Sequence, residues 1–97
     1  MKRMKFKLRS WDDKGEVVML DKSGWEYDLG GVKVALCKSF CRWMVVEPET
    51  GYKIMPPEST TIAGCIEILL FHAEKTFGGV ERMAKMIKEC VAKIKIS

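Results

Sequence analysis

Ser59-Thr-Thr-Ile-Ala-Gly-Cys-Ile-Glu-Ile-Leu-Leu-Phe-His-Ala-Glu-Lys-Thr-Phe77 is the stretch that decides how the chain folds. It opens the longest region with helical periodicity, Ser59 to Ile94. Ile62, Ile66, Leu69, Ala73 and Phe77 fall on one side of a helix, with Cys65 and Leu70 on its flanks. Ser59, Thr60 or Thr61 can cap its start. Gly78-Gly79 stops it, since a glycine can take the left-handed position beyond a helix end. A second helix follows over 80–95. Its stripe is Val80, Met83, Ala84, Ile87, Val91 and Ile94, and Arg82, Lys85, Glu89 and Lys93 lie opposite.

Working back from this stretch, residues 4–55 read as a meander of five or six short antiparallel strands. Met4, Phe6 and Leu8 alternate with Lys5, Lys7 and Arg9, a half-buried strand with a basic outer face. Asp12–Gly15, Asp21–Gly24 and Pro48–Gly51 share one turn grammar, and Gly30-Gly31 marks a further reversal. The intervening segments Glu16–Leu20, Trp25–Leu29, Val32–Cys37, Cys41–Glu47 and Tyr52–Met55 read as strands. Lys38–Phe40 is either a turn or the middle of one bent strand. Pro56-Pro57 is expected to end the sheet, because two prolines remove two ladder donors. Strands first and helices last give an α+β fold with both helices on one face of the sheet. With 97 residues, the chain is expected to form a single domain, 1–97.

The net charge is +4, and its distribution says more than its sum. Met1–Arg9 carries Lys2, Arg3, Lys5, Lys7 and Arg9 and no acid; Arg82–Ser97 carries Arg82, Lys85, Lys88, Lys93 and Lys95 against Glu89 alone. The basic start has no apolar run behind it, so it is not read as a signal peptide. No stretch approaches the ~20 apolar residues of a membrane span. A cytoplasmic chain with reduced cysteines and no membrane partner is expected.

Chemistry-bearing motifs are sparse. His72 is the only histidine, and it stands seven residues from Cys65. That is about 10 Å along a helix axis, too far for direct activation of a thiol. A partly buried helix histidine is the expected role. Cys37 and Cys41 form one loose pair that could bind zinc or form a reversible disulfide, whereas a strong zinc signature has two close pairs. No phosphate loop follows either glycine pair. No catalytic residue, metal or cofactor is therefore assigned, and a non-enzymatic binding module is expected.

The leading signal is the basic strand. Alternation sets Lys5, Lys7 and Arg9 on one face at ~6.6–6.8 Å intervals, close to phosphate spacing, and Lys2 and Arg3 extend the row. Trp11, Trp25 and Trp43 could stack on bases. Basic edge strands also serve simply to block sheet-to-sheet aggregation. Nucleic-acid or nucleoprotein binding through Lys2, Arg3, Lys5, Lys7 and Arg9 is the first expectation.

A protein-binding inhibitor or adaptor of a host protein, such as a phage-encoded protein acting on a host defence complex, is the alternative. Its interface would be Ile68 and Phe71, opposite the main helix stripe, and a homodimer is open on the same ground. Cover of this pair by the second helix is the expected arrangement. A zinc- or thiol-dependent protein using Cys37 and Cys41 is the third reading. The run from Trp43 to Ile54, followed by a Ser/Thr-capped helix, resembles in general pattern the small β-hairpin-plus-helix proteins of phages and mobile elements. These include three-stranded DNA-binding modules. The likeness implies no residue roles here.

Overall fold

In the computed structural model, which describes residues 1–96, five strands form one antiparallel sheet in sequential order. They are β1 (Arg3–Trp11), β2 (Val17–Leu29), β3 (Val32–Ser39), β4 (Arg42–Val46) and β5 (Lys53–Ser59). Helix α1 (Ile62–His72) continues through a π-helical turn, Ala73–Phe77, and α2 (Val80–Ile96) follows. The α+β meander with two C-terminal helices is thus the architecture. Alternation along β3 and β4 aims Val32, Val34, Leu36 and Val45 at the helices, where they meet Cys65, Leu69, Ala73, Met83 and Ala84. Each fully buried Leu or Val of this layer contributes roughly 1.5–3 kcal/mol.

The turn expected at Asp21–Gly24 does not form. These residues stay extended within β2, a strand of 13 residues. Its first part, Val17–Trp25, pairs with β1, and its last part, Trp25–Leu29, pairs with β3. Gly24 serves a close approach and not a reversal: a Cβ there would collide with the Leu36 carbonyl oxygen of β3. Beyond this crossing the β1–β2 hairpin swings over the sheet face away from the helices. There Phe6 and Leu8 pack on Ala35, Cys37, Met44 and Val46 in a second core. The Arg9 N–H donates to the Gly51 carbonyl oxygen at 2.9 Å and ties β1 to the turn between β4 and β5.

Pro56 and Pro57 do not end the sheet. Strand β5 runs through them to Ser59. It is the edge strand, and its register slips between Val45↔Met55 and Trp43↔Ser59. An edge with an irregular register tolerates two missing donors. The ambiguous Lys38–Phe40 segment is also settled. Lys38 and Ser39 belong to β3, Ser39 pairs with Arg42, and Phe40-Cys41 makes the reversal.

Helix α1 begins at Ile62, where the Thr61 hydroxyl accepts from the Gly64 N–H at 3.0 Å. Its buried line is Cys65–Leu69–Ala73, so Cys65 is central to the stripe and not on its flank. In α2, Met83 and Ala84 are buried while Val80 and Ile87 pack at the core margin.

Candidate functional site

Because Phe6 and Leu8 point into the second core, strand alternation sends Arg3, Lys5, Lys7 and Arg9 to the opposite face of β1. The cross-strand partners of these residues are Trp25, Ser23, Asp21 and Met19. The four cations therefore form one row, and each has a different local fate. The Arg3 guanidinium lies 4.8 Å from the centre of the Trp25 ring and donates to the Ser23 hydroxyl at 3.2 Å. Lys7 pairs with Asp21 at 3.3 Å, with both side chains largely exposed. Arg9 lies over Tyr52, 4.4 Å from the ring centre. Its Nε is buried and has no hydrogen-bond partner among the described residues. Lys5 makes no ion pair or hydrogen bond with another side chain among the described residues. Lys2 precedes the strand, and its carbonyl accepts from the Glu26 N–H, so it is exposed but outside the row.

Asp21 is the only acid in direct ion-pair contact with this row among the described residues. An aromatic ring holds a guanidinium in place without cancelling its charge. Arg3 and Arg9 are thus oriented by Trp25 and Tyr52 and remain cationic toward solvent. Exposed pairs such as Lys7–Asp21 are weak and exchange readily for a stronger anion.

The position of Tyr52 is set by a residue the sequence reading did not single out. Glu47 is buried, and its carboxylate accepts from the Glu49 and Thr50 N–H groups at 3.0 and 2.7 Å. The Gly51 N–H donates to the Glu47 carbonyl, and the Glu47 N–H donates to the Tyr52 carbonyl. Gly51 takes φ +78°, and a Cβ there would lie 2.6 Å from the Lys7 carbonyl oxygen. This turn delivers Tyr52 beneath Arg9. Arg9, Trp11, Tyr52 and Lys53 then line one shallow recess of about 180 Å³. Trp11 is 58% exposed, whereas Trp25 and Trp43 pack against the main core. Only Trp11 among the tryptophans offers a largely free ring. Tyr52 and Lys53 were legible only as a strand start; their link to Arg9 needs the three-dimensional register.

The proposed apolar pair on α1 divides. Ile68 packs against the main core, but Phe71 is 62% exposed, with the Lys75 ammonium 5.8 Å from its ring centre. The expected cover of both residues therefore does not hold: Ile68 is only partly buried at the core margin, and Phe71 is exposed. The second helix does not reach Phe71 because Phe71 projects from the outer side of α1. The thiol pair also divides. Cys37 is buried in the second core and Cys41 is exposed in the turn. No cluster of three or more metal-ligating side chains occurs among the described residues. Burial raises the Cys37 and Cys65 thiols above the ordinary value; Lys22 and Lys53 pull Cys37 back in part. His72 is half-buried on α1, its Nδ1 3.3 Å from the Thr76 hydroxyl and its ring edge-on to Phe77. No described helix is long and apolar enough to cross a membrane.

Comparison with protein-family models, with curated proteins and with solved structures gives no match.

Proposed function

We propose that the protein binds single-stranded nucleic acid through the outer face of β1. The observation that carries this reading is the row Arg3–Lys5–Lys7–Arg9, in which two arginines are held on aromatic rings and Asp21 is the one acid paired with the row among the described residues. Neighbours in the row stand ~6.6–6.8 Å apart, so consecutive cations can meet consecutive phosphates of an extended strand. Trp11 and the rim of Tyr52 supply stacking surface where the row ends. Such sites combine a cationic track with aromatic platforms and read backbone more than sequence.

Anisotropy titrations of a fluorescein-labelled 12-mer deoxyoligonucleotide at increasing KCl test the proposal. Binding that weakens steeply with salt, and is lost when Arg3, Lys5, Lys7 and Arg9 are all changed to Gln, is expected. Absence of binding at low salt to both DNA and RNA single strands overturns it.

A second reading rests on Phe71. A largely exposed phenylalanine on an otherwise anchored helix suits a protein partner. A partner complex that survives moderate salt and is lost in Phe71→Ala would favour it over the first.

A further inference from the structure

The turn between β3 and β4 displays the least protected aromatic ring of the molecule on its most unusual backbone. Phe40 is 100% exposed. It is also the only non-glycine residue with positive φ among the described residues, at +56°. A bulky residue in this region is a true outlier, and the first position of such two-residue turns is where glycine is favoured. Folding therefore gains nothing from Phe40: its ring packs on nothing and its backbone is strained. Strain of this kind persists where the surrounding structure over-determines it, and it concentrates at functional sites.

The flanking strands add a charge pattern. Lys38 pairs with Trp43, and Ser39 pairs with Arg42. Trp43 lies on the helix side of the sheet with Leu36 and Val45, so Lys38 shares that side; Arg42 shares the other with Cys37 and Met44. The hairpin tip thus carries one cation on each of its two faces, with the phenyl ring between them. Neither Lys38 nor Arg42 has an ion-pair partner among the described residues. A flat apolar ring flanked on both sides by cations matches two adjacent bases and the phosphates that bracket them.

We infer that Phe40 is a stacking finger that enters between consecutive bases of the bound strand, with Lys38 and Arg42 holding the phosphates on either side. The inference rests on the single-strand reading above and adds a second contact point to it. Aromatic residues do wedge between bases in this way, and each base stacked on a ring contributes ~1–3 kcal/mol, a factor of about 5 to 150 in affinity.

The test uses the full chain and a single-stranded adenine-rich oligonucleotide carrying one 2-aminopurine, whose fluorescence rises when it is unstacked. Wild type should raise the fluorescence on binding. Phe40→Gly and Phe40→Ala should abolish the rise and weaken binding within the five- to 150-fold range, with the salt slope kept. Phe40→Gly relaxes the backbone and should unfold at a temperature no lower than wild type, which separates lost contact from lost fold.

Equal affinity and an undiminished fluorescence rise in both variants would overturn the finger while leaving the β1 row standing. No binding by wild type overturns both. Phe40-dependent binding to phosphatidylserine vesicles, with no fluorescence rise on the oligonucleotide, would assign the tip to an anionic membrane and overturn the inference.

Discussion

The Arg9 guanidinium rests 4.4 Å from the centre of the Tyr52 ring, and the Arg9 backbone N–H donates to Gly51, the residue just before it. One strand end and one turn are therefore joined twice, by side chain and by main chain. The candidate site depends on this junction. Tyr52→Leu keeps apolar bulk but removes the ring face. A cation–π contact of this kind is worth ~0.5–1 kcal/mol, and the ring also offers stacking surface, so single-strand affinity should fall at least about two- to fivefold. Anisotropy titration checks it, and unchanged affinity would mean that Tyr52 does not orient Arg9 for binding.

Glycine positions separate close approach from mere conformational freedom. Gly24→Ala should destabilise by about 1–3 kcal/mol, because the new methyl meets the Leu36 carbonyl where β2 crosses β3. Gly24 is extended strand, whereas Gly15→Ala sits at positive φ, +80°, and opens onto free space, so only a backbone cost applies there. Urea unfolding of both variants should rank Gly24→Ala as clearly worse. A reversed order would contradict the crossing.

The same crossing explains what the sequence could and could not reveal. Periodicity made the two helices, their stripes and the order of the sheet legible, because each depends on local spacing. Asp21–Gly24 reads as a turn by composition, yet tertiary pairing with β1 keeps it extended. Alternation exposed the basic face of β1, but no local pattern shows that Phe6 and Leu8 build a second core or that Tyr52 comes to lie under Arg9. Glu47 reads as the end of a strand. Its role in holding the turn before Tyr52 appears only when its carboxylate is seen on the Glu49 and Thr50 N–H groups. The positive φ of Phe40 has no sequence signal at all, since glycine or asparagine is the usual residue there.

Phe40→Gly should stabilise the fold. Relief of a strained backbone, partly offset by the greater freedom of glycine when unfolded, should raise Tm by about 3–8 °C. Differential scanning calorimetry measures it. A lowered Tm would show that the phenyl ring supports the turn.

The buried thiols set a stability limit on the alkaline side. Burial raises Cys37 and Cys65 above the unfolded value of ~8.5, so both stay protonated in the fold while the unfolded chain loses its protons. The unfolded state then binds fewer protons, and stability falls as pH rises above that value. Below it, their contribution is fully present. Urea midpoints between pH 7.5 and 9.5 should decline in wild type and decline less in Cys37→Ala/Cys65→Ala. Equal slopes would assign the loss to other groups. Alkylation of the native protein should label Cys41 and Cys90, which are exposed, well before the buried pair.

The most direct test of the central claim is the salt dependence of single-strand binding in wild type and in Lys5→Gln. Lys5 is the cation of the row with no side-chain partner among the described residues, so its removal changes charge with the least effect on structure. If three or four cations of the β1 row neutralise phosphates, log affinity against log salt should slope at least as steeply as about −2 to −3 in wild type, and more steeply if Lys38 and Arg42 add phosphate contacts. Lys5→Gln should reduce the magnitude of that slope by about 0.7. A wild-type slope near zero, or one that Lys5→Gln leaves unchanged, would contradict the assignment of the β1 row as the nucleic-acid track.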